Sequence, residues 1–412
     1  MAEVANILDF NAEAIRQDFP ALNQKINGAP LVYLDNGAST QKPQVVIDAI
    51  TQFYSQDYAN VHRGIHSLSQ RATDQFEAAR ETVRAFINAK AIEEVIFTSG
   101  TTDSINLITA SFGAEFIHSG DRILISEMEH HSNIVPWQIL AERKGAHIDV
   151  IPVLDNGELD LNRFHESLND RTKIVAITQV SNALGTINPI NEITTAAHKV
   201  GAKVVLDGAQ SIAHMPVDMQ TLDCDFFVFS GHKIFAPTGV GVLYGKQALL
   251  EAMPPYRSGG DMIKTVSFSG TEYNTLPYKF EAGTPHISGA IGLAAALNYL
   301  KQIGMTNIEA YENELLAYGT EQMQSIAGLE LVGTANNKAG ILSFIVDGAH
   351  ASDLGTLLDH QGIAIRVGHH CAMPVMEKFG LAATSRASLA MYNNFEDIDR
   401  LVTSLKRSIA ML

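Results

Sequence analysis

The run Phe226-Phe-Val-Phe-Ser230-Gly231-His232-Lys233-Ile-Phe-Ala-Pro-Thr-Gly239 organises the rest of the chain. An apolar, aromatic-rich segment of strand character ends in Ser-Gly-His and then presents a single lysine. A second apolar segment, Gly239-Val-Gly-Val-Leu-Tyr244, follows almost at once. A lysine between two such segments sits at the rim of a buried sheet, where desolvation disfavours the ammonium and lowers its pKa. An amine in that state is a Schiff-base nucleophile. The plainer reading is a lysine laying its stem along apolar surface. The rest of the chain decides between them.

Working outward, apolar runs alternate with helical patterns, the habit of a parallel sheet covered on both faces. Strands are expected over 94–98, 122–126, 147–153, 173–178, 203–207, 225–229 and 239–244, with helices near 102–117, 134–143, 160–168 and 191–200. Upstream, a short amphipathic helix ends near Pro20, a turn follows at Asn27-Gly28, and Leu31–Leu34 reads as a strand. Two further helical patterns, from Val45 to Tyr54 and from Leu68 to Ile87, flank a polar loop, Asn60–His66. After Gly283-Thr284-Pro285 the texture changes. A long helical stretch from Ile287 to about Ala327 is expected there, then strand 341–346, helix 351–360, strands 363–367 and 386–391, and helix 395–411. The fold class is therefore α/β: a mostly parallel seven-stranded sheet in a large domain, 31–290, and a smaller α+β domain built from 1–30 and 291–412.

The bulk numbers exclude several classes. A chain of 412 residues is long enough for two cores, since single cores stop growing near ~250–300 residues. The composition, 46% hydrophobic and 18% charged, is that of an ordinary globular protein. A formal net charge of −16 argues against nucleic acid as a partner, because phosphate-backbone binding needs clustered Lys and Arg. Two cysteines, Cys224 and Cys371, are too few for a disulfide framework. The N-terminus has no basic n-region before an apolar core, and no apolar run approaches the ~20 residues that span a bilayer. A cytoplasmic protein with no membrane partner is expected.

In open α/β sheets ligands sit beyond the carboxyl ends of the strands, so the residue after each apolar run samples the site. Those ends are Ser99-Gly-Thr-Thr102-Asp103 opening a helix, then Glu127-Met-Glu-His130-His131-Ser132-Asn133. They continue with Gln179-Val-Ser-Asn182, Asp207-Gly-Ala-Gln210 and Ser230-Gly-His232-Lys233. A Gly turn and a helix N-terminus bearing hydroxyls make an anion cradle. Pyridoxal phosphate needs such a cradle, a flat group over its ring, a Schiff-base lysine, and a carboxylate that keeps its pyridine nitrogen protonated. Asp207 and His130 suit the last-named and ring-facing roles. Taken singly, Thr101-Thr102 reads as a helix cap and Asp207 as a turn residue; their succession at strand ends carries the inference.

The chain resembles the fold-type I, class V pyridoxal-phosphate enzymes, and within them the group II, SufS-like cysteine desulfurases. The resemblance runs through Leu-Asp-Asn-Gly-Ala-Ser-Thr, Asn-Val-His-Arg-Gly-Ile-His, Glu-His-His-Ser-Asn, Asp-Gly-Ala-Gln, Ser-Gly-His-Lys, Phe-Glu-Ala-Gly-Thr-Pro and Arg-Val-Gly-His-His-Cys-Ala-Met-Pro. By that resemblance Lys233 carries the cofactor, Asp207 meets the pyridine nitrogen, Gln210 the phenolic oxygen, and His130 stacks on the ring. Thr102, Ser230 and His232 hold the phosphate, joined by Thr284 of the other subunit in a homodimer. Asn182 and Arg386 hold the substrate carboxylate. Cys371 is the sulfur-accepting nucleophile, and His130 is a candidate acid. The resemblance further implies conversion of L-cysteine to L-alanine, with a SufE-like acceptor feeding iron–sulfur cluster assembly.

Cys371 also reads as reactive from its neighbours, Arg366, His369 and His370, which favour a thiolate where they carry charge. Cys224, in Leu-Asp-Cys-Asp-Phe-Phe, reads as a small buried apolar residue. Zinc is the rival use of so many histidines, yet no Cys-x-x-Cys or His-Glu-x-x-His spacing occurs. No phosphate-binding Gly-x-x-x-x-Gly-Lys-Ser/Thr occurs either. Selenocysteine lyase, an aminotransferase or kynureninase-like activity, and an idle sulfur carrier are the alternatives. Intact Lys233 and Cys371 argue against the last.

Overall fold

The computed structural model describes residues 10–412, so the leader reading at residues 1–9 lies outside the described part. Seven strands form the main sheet, Val95–Thr98, Arg122–Ser126, His147–Ile151, Thr172–Thr178, Lys203–Asp207, Phe226–Ser230 and Gly241–Gly245. In space they run 95–98, 241–245, 226–230, 203–207, 172–178, 122–126, 147–151. Gly241–Gly245 pairs antiparallel with both neighbours, and the other contacts are parallel. Alternation fills both faces. Phe227 and Phe229 enter one core with Leu124 and Val175, while Phe226 and Val228 enter the opposite one with Ile123, Ile125 and Trp137. That two-sided burial is why these strands read as continuous apolar runs.

A second, antiparallel sheet lies toward the C-terminus in the order Leu329–Val332, Ile341–Val346, Thr384–Ser388, Arg366–Gly368. Its core gathers Leu342, Phe344, Leu358 and Leu401. The strand expected over 386–391 begins and ends earlier, because the chain turns where Asn393 Oδ1 accepts the Ala390 N–H at 2.9 Å. The expected 287–327 helix is two, Ile287–Ile303 and Met305–Gln324, parted by Gly304 at φ +89°. Strand Leu329–Val332, helix Met373–Lys378 and the hairpin Ile263–Ser267/Gly270–Tyr273 were not foreseen.

Two features bear on how the two sheets join. Residue 290 falls inside helix Ile287–Ile303, whose Leu293, Ala296 and Leu297 pack into a core of the main sheet. Val32–Tyr33 pairs in parallel with Ile363–Ala364, tying the start of the chain to the C-terminal part. Leu34 continues that tie through the Ala364 carbonyl at 2.8 Å, and Asp35 bridges to Ser388.

Candidate active site

Lys233 ends a single 3-10 turn, Gly231–Lys233, directly after strand Phe226–Ser230. Its amine faces a cavity of about 170 Å³ walled by side chains from both sheets. Burial pulls its pKa from 10.5 to about 8, Asp207 draws it back up, and Arg386 and Arg366 press it down again. Asp207 closes the neighbouring strand, fully buried, with Oδ1 accepting the Ala209 N–H at 2.9 Å. Burial raises its pKa, and the Ala209 N–H and Lys233 oppose that rise.

At the adjoining end of the cavity, Gly100 at φ +141° turns the chain from strand Val95–Thr98 into helix Thr101–Ile108. A Cβ on Gly241 would stand 2.4 Å from the Gly100 Cα, so glycine alone lets the antiparallel strand pass this turn. Ser230 Oγ accepts the Thr101 N–H at 2.8 Å and lies 2.9 Å from Thr101 Oγ1. Thr102, Ser230 and His232 all line the cavity here. Burial, then Lys233, lowers the His232 pKa to about 4, leaving a neutral imidazole. The positive end of the helix dipole supplies the field for an anion.

His130 lines the cavity beside Lys233. Its Nδ1 accepts the Ser132 N–H at 3.1 Å, which leaves the ring proton on Nε2. Burial first, and Lys233 second, lower its pKa to about 3. A neutral ring of this kind suits packing against an aromatic face better than donating a proton from an imidazolium. Behind it Glu129 is fully buried and accepts from the Asn133 amide at 2.6 Å and the Thr178 N–H at 3.0 Å. Burial pushes Glu129 up to about 8.

The opposite wall is cationic. Arg386, 1% exposed, lies on the central strand Thr384–Ser388 and stands directly across the ladder from Arg366. Its Nη1 donates to the Asn182 carbonyl at 2.7 Å and its Nη2 to Asp35 at 3.3 Å. Nε is buried without a partner among the described residues. Burial lowers the Arg386 pKa to about 10, so the guanidinium stays charged at neutral pH. Gln210 donates to the Gly37 carbonyl at 2.8 Å, which brings the Asp-Asn-Gly segment to the rim. The sequence suggests no role for Asp35, and for Arg366 only that of a cation near Cys371. Their signal was present in the quoted motifs, but only the strand pairing brings both to Arg386.

Cys371 lines the same cavity and is partly exposed. His370 and Cys371 both adopt left-handed backbone, φ 52° and 57°, at a cost of roughly 1–2 kcal/mol per non-glycine residue. Contacts hold the strain in place. The Asn182 amide donates to the His370 carbonyl at 2.6 Å, and Cys371 N–H donates to His369 Nδ1 at 3.0 Å. Asn182, expected to meet a substrate carboxylate, thus also grips the loop. Cys224 is fully buried, and burial raises its thiol pKa beyond the reactive range.

The cavity gathers Lys233, Asp207, Gln210, His130, Thr102, Ser230, His232, Asn182, Arg386 and Cys371, every expected site residue but one. Thr284 is exposed at a separate depression beside Ser99, Arg257 and His286. Among the described residues no group of three His, Cys, Asp or Glu side chains could hold a metal ion. Among them, too, no helix is long and apolar enough to cross a membrane.

Residues 32–401 match the family model of class-V aminotransferases. The chain is 52% identical over 98% of its length to a cysteine desulfurase of Synechococcus elongatus, and spans 65% of that longer protein. It is 52% identical over 97% of its length to a cysteine desulfurase of Shigella sonnei, of which it covers 98%. Its backbone superposes on the S-sulfonic acid form of the Escherichia coli cysteine desulfurase CsdA with TM-score 0.91 and 39% identity, covering 98% of this chain and 99% of that one. The seven-stranded sheet, the cavity at its strand ends and these similarities agree: the chain belongs to the class-V aminotransferase family and, within it, to the cysteine desulfurases.

Proposed function

We propose that the protein removes sulfur from L-cysteine with pyridoxal phosphate bound in this cavity, leaving L-alanine and a persulfide on Cys371. One observation carries the reading: a desolvated lysine of lowered pKa, a buried carboxylate and a partly exposed cysteine face one cavity with a helix N-terminus at its end. That donor set fits pyridoxal phosphate. Lys233 would be the Schiff-base lysine, Asp207 would meet the ring nitrogen, Gln210 the phenolic oxygen and His130 the ring face. Thr102, Ser230 and His232 would hold the phosphate. When bound, the cofactor supplies an electron sink for the carbanion formed at the substrate Cα.

The chain's own residues do the rest. Arg386 and Asn182 orient the substrate carboxylate, and the unpartnered Arg386 Nε adds a buried donor to that wall. Lys233 takes the Cα proton, which its lowered pKa allows near neutral pH. The Cys371 thiolate attacks the substrate sulfur; the C–S bond breaks and the S–S bond forms. The substrate Cβ gains the equivalent of the proton lost from the Cys371 thiol and Cα regains the one held by Lys233, so cysteine and thiol become alanine and persulfide. The strained loop aims the thiol at the cavity before substrate arrives.

The finer assignments belong to the same proposal. The Arg-Val-Gly-His-His-Cys loop supports the group II, SufS-like subtype, a SufE-like acceptor for the persulfide and a role in iron–sulfur cluster assembly in the cytoplasm. Thr284, exposed and outside the lining of its own cavity, fits a homodimer in which it completes the partner's phosphate site. We take 31–290 as the cofactor domain and 1–30 with 291–412 as the domain that delivers Cys371. The test is alanine release from L-cysteine and from L-selenocysteine by native enzyme and Cys371→Ser. Loss of the first with residual selenocysteine turnover is expected. Retention of both would make Cys371 structural and the enzyme a selenocysteine lyase or another lyase of this fold.

A further inference from the structure

We propose that His131 is a positioning residue, the clasp that holds the Cys371 loop against the large domain. It grips the loop twice. Its backbone N–H donates to the Cys371 carbonyl at 2.8 Å, and its ring Nε2 accepts the Met373 N–H at 3.1 Å. Met373 is the first residue of helix Met373–Lys378, so its N–H has no partner within the helix and needs one from outside. His131 supplies it.

A second imidazole completes the clasp. The His131 ring lies 5.5 Å from that of His369, whose Nδ1 accepts the Cys371 N–H. Both backbone polar groups of Cys371 therefore end on this histidine pair. Such holding is required because His370 and Cys371 are both left-handed, a state that persists only where the surroundings fix it. The acceptor role needs an unprotonated Nε2, and burial together with His369 lowers the His131 pKa. The base of the clasp is firm, since the preceding Glu129 is buried and bonded to Asn133 and Thr178. In Glu-His-His the first histidine serves the cavity and the second serves the loop.

The proposal rests on Cys371 as the sulfur acceptor, and it is tested on the cofactor-loaded enzyme by two readouts. One is the rate of Cys371 alkylation by iodoacetamide, resolved by mass spectrometry, with buried Cys224 as the silent internal control. The other is kcat and KM for alanine release from L-cysteine. His131→Ala is expected to raise the alkylation rate and lower kcat, each by roughly three- to tenfold, the effect of one lost hydrogen bond, while KM stays within about twofold. His131→Gln, whose amide oxygen can accept the Met373 N–H, is expected to restore both. His131→Phe keeps a ring without the acceptor and is expected to behave like His131→Ala. Native alkylation and kcat in the Phe or Ala enzyme, or a Gln enzyme as defective as the Phe one, would overturn the clasp. Failure of the functional reading looks different: Cys371→Ser would go on releasing alanine from L-cysteine, whatever the alkylation rates.

Discussion

Replacing Arg386 by lysine keeps a cation in place and removes the fork, so it separates charge from geometry at the wall proposed to bind the substrate carboxylate. In the native protein two of the three guanidinium nitrogens are committed, to the Asn182 carbonyl and to Asp35, and Nε has no partner among the described residues. A charge-assisted contact to a substrate carboxylate is worth about 1.5–3 kcal/mol, so losing the fork should raise KM for L-cysteine by roughly 10- to 150-fold. A second penalty comes from burial. Lys42, Lys233 and Lys338, each only partly exposed, have pKa values drawn down by desolvation to about 8. A lysine at the fully buried position 386 should follow them, whereas Arg386 holds near 10. The KM defect should therefore deepen as pH rises from 7 to 9, because the new ammonium loses its proton in that window. Alanine release against L-cysteine concentration at several pH values measures it, with thermal melting as the control for folding. A KM within about threefold of native at pH 8 would refute the assignment of Arg386 to the carboxylate.

Two further outcomes are expected. Reconstitution of cofactor-free enzyme with pyridoxal phosphate should quicken as pH rises through about 8 and then level off, because the neutral Lys233 amine is the attacking form; stopped-flow absorbance would show it, and a rate still climbing above pH 9 would indicate an ordinary lysine. Arg80→Met strands Glu281, which the buried guanidinium holds through two contacts of 2.6 and 2.9 Å, so the variant should lose about 3–5 kcal/mol. Adding Glu281→Gln should recover more than half of that in denaturant melts, and an unshifted midpoint in Arg80→Met would contradict it.

The main sheet was legible because its strands are buried on both faces. An apolar run such as Phe226–Phe229 has no competing periodicity, and its end residue sits at the site by the geometry of parallel strands. The floor of the cavity followed directly. Its far wall did not. Arg366 and Arg386 meet only through an antiparallel pairing between segments of mixed polarity, and Thr384-Ser-Arg-Ala-Ser388 has little apolar content to mark a buried strand. The hairpin Ile263–Ser267/Gly270–Tyr273 escaped for the same reason: it is almost wholly exposed, so no burial pattern is written into it. Asp35 was quoted as part of a motif, but its contact with Arg386 depends on where residues 32–35 cross to the second sheet. A single chain's periodicity carries no record of such a crossing.

That crossing has a consequence for biosynthesis. Val32 and Tyr33 emerge first, yet their strand partners at 363–364, and the Ser388 that meets Asp35, are made roughly 330 to 350 residues later; at 5–20 residues per second the segment waits on the order of half a minute. Gln210 cannot find the Gly37 carbonyl in its final place until then. A nascent chain therefore cannot assemble the complete cofactor pocket ahead of its own C-terminus, and truncated products should fail to retain the coenzyme even when all of the main sheet has been synthesised.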